Sequence, residues 1–304
     1  MLNIQSDRSE VMPEGRIIKS LSGFYYVLHD GQVTQCRGRG VFRKKKVTPL
    51  VGDNVVFQAE NKLEGYILEI KERKNELVRP PISNVDQALL VFSAIEPDFS
   101  TMLLDRFLVL VESNHIEPII CISKVDLLSQ QQKQEIEQYA EEYRKIGYEV
   151  ILTSTVTEKG MEQIQPLFED RVTVIAGQSG VGKSSLLNTL KPELELKTND
   201  ISISLGRGKH TTRHVELISF GEGLVADTPG FSSLEFLTLE VEELTDCFPE
   251  MSRLSEQCKF RGCLHVKEPK CAVKEAYEQK EIPSYRYEHY LQFIEEIKQR
   301  KPRY

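Results

Sequence analysis

Gly177-Gln178-Ser179-Gly180-Val181-Gly182-Lys183-Ser184 is the stretch on which the reading of this chain turns. It matches the pattern G-x-x-x-x-G-K-[ST] in full. VTVIAG, a strand-like run, leads into it, and SSLLNTL, a helix-like run, leads out. In that setting the glycines let backbone N–H groups turn inward around phosphates. The helix N-terminus adds partial positive charge. Lys183 is expected to reach the β- and γ-phosphates and Ser184 to hold Mg²⁺, with Ser185 beside it among the nucleotide contacts.

Two further strings give the loop its context. Asp227-Thr228-Pro229-Gly230 closes an apolar stretch about forty residues later. Asp227 suits Mg²⁺, and the Gly230 N–H suits a γ-phosphate. Ser123-Lys124-Val125-Asp126 closes another apolar stretch, but lies before the phosphate loop. The Asp126 carboxylate can accept both the ring N–H and the amino group of guanine, donors that adenine does not offer as a pair. The Lys124 stem can pack over the ring. Asn is usual at the first position, where this chain has Ser123. Ser154-Thr155 follows the next strand, where GTPases place a backbone contact to the base. In an ordinary GTPase the base-reading string comes last, so these parts stand in circularly permuted order.

Leu205-Gly206-Arg207-Gly208-Lys209-His210-Thr211-Thr212-Arg213 lies between phosphate loop and switch. Thr211 and Thr212 are both candidates for Mg²⁺ and the γ-phosphate. The polar stretch 191–204 is expected to be mobile without a triphosphate. Phe231 stands where Ras-like proteins place a water-orienting glutamine. His210 is the candidate for that work, because imidazole can accept from water near neutral pH. Arg207 and Arg213 are candidates for stabilising transition-state charge. Slow intrinsic turnover, accelerated by a partner, is the expectation.

The 304 residues suggest two or three domains, and a 40% hydrophobic, 28% charged composition is that of a globular chain. No apolar run reaches the ~20 residues of a membrane span. The polar N-terminus does not read as a secretory signal, so the expectation is a cytoplasmic monomer without membrane contact. A net charge of −7 argues against a protein that coats nucleic acid but allows local basic patches. One patch is Arg37, Arg39, Arg43, Lys44, Lys45 and Lys46; another is Lys298, Arg300, Lys301 and Arg303.

Residues 1–75 read as five short strands, a small barrel of the OB or the SH3-like kind, with RNA binding in view of its basic run. Residues 76–84 read as a linker. Residues 85–230 alternate buried strands with helices, an α/β pattern that implies a parallel sheet covered on both faces. A helix is predicted over 130–146, with Ile136, Tyr139, Tyr143 and Ile146 on one face. Residues 231–304 read as a small helical domain interrupted by cysteines. There Cys258, Cys263, His265 and Cys271 follow C-x4-C-x-H-x5-C. Three thiolates and an imidazole make a closed tetrahedral zinc site of the structural kind. Cys36, Cys121 and Cys247 are expected to be inert packing residues.

This set resembles the bacterial ribosome small-subunit-dependent GTPase A family. The resemblance rests on GQSGVGKS, on DTPG before a hydrophobic residue, on KHTT, on RPPISNVDQ and on the cysteine cluster. It implies a GTPase that acts late in assembly of the small ribosomal subunit, is stimulated by that subunit, and has the subunit and its RNA as partners. It also implies inhibition by guanosine tetra- and pentaphosphate alarmones, and a catalytic histidine at His210. Two other classes remain open at this point. In a nucleotide-sensing RNA-binding module hydrolysis would be incidental. A P-loop ATPase or small-molecule kinase would bind ATP as well as GTP.

Overall fold

The inward residues of the first five strands fix what they form. Ile17, Val27, Cys36, Val55, Phe57 and Ile67 all point inward, one from nearly every strand face. The computed structural model describes residues 12–78, 80–194, 215–227 and 234–300, without the side chains of Arg43 and Asp227. These residues divide into two units, one within 12–84 and 215–218, the other within 85–194 and 219–300.

In the first unit β1 (Glu14–Leu21) pairs antiparallel with β2 (Phe24–His29), and β2 with β3 (Gln32–Gly38). A short helix α1 (Gly40–Lys44) leads to β4 (Asn54–Ala59), which pairs antiparallel with β5 (Gly65–Ile70). β3 and β5 run parallel, and β4 returns to β1 with Val56 opposite Glu14. The circuit β1-β2-β3-β5-β4 closes the barrel, which settles the choice in favour of the OB type. The basic run extends from the end of β3 through α1 to the residues after it, where Lys44, Lys45 and Lys46 are exposed.

The segment read as a linker is instead a hairpin of β6 (Glu76–Val78) and β7 (Pro81–Ser83). Its polar residues are tied down by the turn at Gly52-Asp53. The buried Asp53 carboxylate accepts from Arg73 Nε at 2.7 Å and from Ser83 Oγ at 2.6 Å. Asn84 Nδ2 donates to the Gly52 carbonyl at 3.0 Å. These partners lie about thirty residues away, beyond the reach of a local composition reading.

The second unit holds the parallel sheet. Its elements are β8 (Gln87–Ser93), α2 (Thr101–Glu112), β9 (Glu117–Ser123), α3 (Gln130–Ile146), β10 (Glu149–Leu152), α4 (Met161–Ile164), β11 (Val172–Ala176) and α5 (Lys183–Leu190). β12 (Glu216–Phe220) then turns through two residues into β13 (Gly223–Asp227). Every residue of β8 and β11 is buried, as a strand covered on both faces requires. The spatial order is β10-β9-β8-β11-β13, all parallel. β11 therefore lies between strands that precede and follow it in the chain. α3 buries Ile136, Ala140, Tyr143 and Ile146. Tyr139 is only half-buried and packs its ring against Phe99 and Tyr285.

The same unit includes α6 (Pro249–Ser255), α7 (Ala272–Glu278) and α8 (Ser284–Gln299). Leu244, Phe248, Met251, Val273, Tyr290 and Phe293 share a core with Val109 of α2. Beside it lies a buried ion cluster. Arg286 of α8 makes two bonds to Glu250, at 2.7 and 3.0 Å, and one to Asp105 of α2 at 2.6 Å. Asp105 also accepts from Tyr143 at 2.7 Å and pairs with His289 Nδ1 at 2.5 Å. Arg286 and Asp105 are wholly buried.

Removing one partner of such a cluster leaves an uncompensated buried charge. Asp105→Ala is expected to lower unfolding stability by about 3–5 kcal/mol in urea denaturation; a loss below about 1 kcal/mol would contradict this role. Glu112, at the end of α2, adds a pH dependence. Burial pushes its carboxyl up to about 7, against ~4.3 for an unfolded Glu. Its stabilising contribution is full below the unfolded value and is lost as pH rises through about 7. Glu112→Gln should therefore gain more stability, relative to wild type, at pH 8 than at pH 5. Equal differences at the two pH values would count against the shift.

Candidate functional site

Parallel strands all present the same end to one edge of a sheet, and ligands of α/β folds bind beyond the strands' carboxyl ends. β9, β10, β11 and β13 run in this common direction. The base-reading string closes β9, Ser154 follows β10, the phosphate loop follows β11, and Asp227 ends β13.

The phosphate loop leaves β11 at Gly177, whose φ is +139°. A Cβ at that position would lie 2.0 Å from the Val91 carbonyl oxygen of β8, so a side chain is excluded by the neighbouring strand. Gly182, at φ +95°, introduces α5, and no side chain caps that helix. Its first-turn N–H groups thus face the loop's concave side without a local acceptor from a cap. Lys183 Nζ donates to the carbonyls of Gly177 at 2.8 Å and Gln178 at 2.6 Å. The ammonium is therefore folded back over the loop, and burial lowers its pKa. A bound phosphate would offset that burial by direct charge pairing. Ser184 is buried and Ser185 half-buried on the first turn of α5, while Gln178, Ser179 and Gly180 are exposed.

Ser123 has a definite partner. Its Oγ lies 2.6 Å from the Val181 carbonyl and 3.2 Å from that of Phe92. One hydroxyl proton serves one of them, and the shorter contact ties the base-reading loop to the phosphate loop. Lys124 sits in the left-handed region at φ +60°, and its Nζ bonds to the Glu96 carbonyl. Asp126 is half-buried in the 3₁₀ turn that follows. Val125 N donates to the Thr153 carbonyl at 3.2 Å, which joins this turn to the loop after β10. In that loop the Ser154 N–H donates to the Lys159 carbonyl, and its Oγ accepts from Val156 N and Thr157 N. Both polar groups of Ser154 are thus used in shaping the turn. Their partners are two to five residues away and carry no motif.

His210, Thr211, Thr212, Arg207, Arg213, Gly230, Phe231, Lys301 and Arg303 lie outside the described residues, as do residues 195–204. Of the switch string only the backbone of Asp227 is described.

The cysteine cluster closes on itself. The ligand atoms of Cys258, Cys263, His265 and Cys271 all lie within 4.8 Å of one another. Cys258 and Cys271 sulfurs are 3.9 Å apart, and His265 Nδ1 is 3.2 Å from Cys271 and 3.7 Å from Cys258. A tetrahedral metal with bonds of about 2.3 Å to sulfur spaces its thiolates about 3.8 Å apart, so the donor set fits a metal ion. Burial pushes the Cys271 thiol up to about 12. Thiolates collected here need a cation to hold them deprotonated. Sequence reading missed what shapes the loop. Glu268 accepts from the backbone N–H groups of Leu264, Val266 and Lys267, and Tyr287 and Tyr290 of α8 donate to the His265 and Leu264 carbonyls. Cys36 and Cys121 are buried on strands with thiols pushed up to about 11 and about 12, and Cys247 to about 12. All three fit inert packing.

A phosphate loop on the inner strand of a parallel sheet, with the base-reading loop on a strand made earlier in the chain, defines a circularly permuted GTPase. The sequence matches the RsgA GTPase family over residues 70–237 and the RsgA N-terminal domain over 14–67. The chain belongs to the RsgA GTPase family and is a GTP hydrolase. A Bacillus cytotoxicus protein named small ribosomal subunit biogenesis GTPase RsgA is 68% identical over 293 residues, covering 96% of this chain and all of that one. A Geobacillus kaustophilus protein of the same name is also 68% identical, with the same coverage. The crystal structure described as YloQ, a circularly permuted GTPase, superposes with a TM-score of 0.83 at 58% identity, covering 98% of this chain and 99% of that one. YjeQ from Thermotoga maritima gives 0.85 at 35% identity, covering 96% and 100%.

Removing the Ser123 hydroxyl leaves a buried carbonyl unpaired, at about 1–2 kcal/mol. Ser123→Ala should therefore weaken GDP and GTP binding alike, by about tenfold in calorimetric titration, and Ser123→Asn should restore it. Full affinity in the alanine variant would show that the tie is dispensable.

Proposed function

We propose that this protein hydrolyses GTP on the small ribosomal subunit as a late checkpoint in its assembly, with turnover stimulated by the subunit. The observation that carries the reading is the Ser123–Val181 bond, which brings a guanine-reading loop against a phosphate loop. The relatives that cover nearly the whole chain carry the name of small-subunit biogenesis GTPases.

In this reading the phosphate loop, Gly177 to Ser184 with Ser185, cradles the phosphates. Lys183 exchanges its two loop carbonyls for β- and γ-phosphate oxygens. Asp126 reads guanine, Lys124 covers its ring, and the turn at Ser154-Thr155 offers a backbone contact. Ser184, Asp227 and one of Thr211 and Thr212 hold Mg²⁺, which neutralises charge on the phosphates. The Gly230 N–H meets the γ-phosphate, and His210 orients the attacking water. Phe231 cannot do that work, and turnover is slow until the subunit sets His210 in place.

The proposed domains are an RNA-binding barrel at 1–75, a connection at 76–84, the GTPase at 85–230 and a zinc-binding helical domain at 231–304. The zinc is structural, because four protein ligands leave no open position. The protein acts as a monomer in the cytoplasm, free of membranes, and guanosine alarmones compete for its nucleotide site. Among the described residues no helix is long and apolar enough to cross a membrane.

GTP turnover measured with and without purified small subunits, with ATP as control, tests the reading. Stimulation by the subunit, restricted to GTP and abolished by Asp126→Asn, is the expected result. Equal turnover with and without subunits, or equal use of ATP, would overturn it.

A further inference from the structure

The four residues between the first two metal ligands, Lys259-Phe260-Arg261-Gly262, serve no evident need of the fold. All four are exposed. Phe260 leaves 43% of its surface in solvent, in a unit that buries its other described phenylalanines or packs them against neighbouring rings. Lys259 Nζ sits 5.3 Å from the centre of the Phe260 ring, so the aromatic face carries a cation beside it. The charge along the segment itself is one-sided. From Cys258 to Cys271 the chain holds Lys259, Arg261, Lys267 and Lys270 against a single acid, Glu268. That acid is turned into the loop onto backbone N–H groups. Among the described residues none of the four cations is in an ion pair with a carboxylate. Leaving the metal site aside, these side chains sum to +3, in a chain of net charge −7.

The loop is also held still. The Lys259 N–H bonds to the Lys270 carbonyl at 3.3 Å, and the ligand cysteines anchor both ends. A cleft beside the tip is lined by Phe260, Arg261 and Leu264 together with Glu242, Asp246 and Glu256. The carboxylates repel phosphates, so a nucleic-acid backbone is held to the basic residues of the rim. A base swung inward from that rim meets the Phe260 face.

We propose that Phe260 is a stacking platform for an unpaired RNA base, with Lys259 and Arg261 holding the adjoining phosphates. Unpaired bases splayed onto aromatic side chains are the usual means of reading single-stranded RNA. An aromatic ring with a cation at 5.3 Å and a second one next to it in sequence, on a loop that carries two metal-ligand cysteines, supplies both halves of that contact. The site deepens the reading of this chain as a small-subunit factor and rests on it for the identity of the RNA.

The chain has no tryptophan, so Phe260→Trp places a sole indole at the site. Three measurements use the full-length, metal-loaded protein. Phe260→Ala should raise the dissociation constant for purified small subunits about tenfold at fixed salt, with metal content unchanged. Phe260→Trp should bind as the wild type does, and its emission should be quenched by subunits and by a single-stranded RNA of about twelve nucleotides. Lys259→Ala and Arg261→Ala should each reduce the salt dependence of binding by about one unit of slope. Unchanged subunit affinity in Phe260→Ala would overturn the proposal. So would indole emission that shifts to the blue on subunits without quenching, which marks burial in a protein pocket. If the wild type itself ignores small subunits, the assembly reading falls. The RNA oligomer then decides alone, quenching upholding the stacking site and its absence overturning it.

Discussion

The bond from Ser123 Oγ to the Val181 carbonyl joins the loop after β9 to the loop after β11, and the proposed nucleotide site is built on it. Permutation puts the guanine-reading half of the sheet before the phosphate-binding half, with β10, α4 and a turn between them. Backbone pairing of β8 with β11 aligns the two halves, with Ala176 opposite Leu90. That pairing fixes strands, not loops. The serine hydroxyl carries the alignment beyond the strand ends, to the loops that meet a ligand. A one-atom donor on Cβ suffices because β9 ends close beside the loop: a Cβ on Gly182 would lie 4.0 Å from Ser123 Oγ. The usual Asn at this place has a longer reach, and here that reach is not needed.

A second constraint governs the C-terminal helices. Their contact with α2 combines an apolar core with the buried group Arg286, Asp105, Glu250 and His289. Charged groups contribute little to net stability when buried, but they tolerate few alternative arrangements. The guanidinium also stacks over Phe248, 4.3 Å from its ring centre. α8 in turn delivers Tyr287 and Tyr290 to the carbonyls of the metal-binding loop. The helix that seals the ion cluster therefore also sets the shape of the Cys-His loop. The two features share one element, and disturbance of either reaches the other through a single turn of helix.

Much of this was legible in the sequence because it is written locally. The buried runs of β8, β9 and β11 needed only their apolar continuity, and the phosphate loop and ligand spacing needed only a short string. Features made by distant partners were not legible. Arg79 to Asn84 has linker composition, yet Asp53, some thirty residues back, turns it into a hairpin. Arg286 sits in a polar-looking helix, and nothing nearby announces that it is wholly buried. Tyr139 carries the right helical phase for the core, but Ala140 takes the buried place, because the larger ring finds Phe99 and Tyr285 at the margin. The engagement of Ser154 within its own turn is local, but a serine of that kind has too many possible partners for sequence to choose one.

The inner position of β11 has a consequence for synthesis. Chains emerge from their N-terminus at roughly 5–20 residues per second. β8 is finished at Ser93, and β11 begins at Val172, about eighty residues later. For an interval on the order of 4–16 s β8, joined in turn by β9 and β10, presents an unpaired edge along a largely apolar strand. Such an edge invites pairing with any neighbouring chain. An unpermuted order would make the inner strand first and never display this intermediate. The permuted chain thus passes through a stage of vulnerability set by gene order alone, whatever the stability of the finished fold.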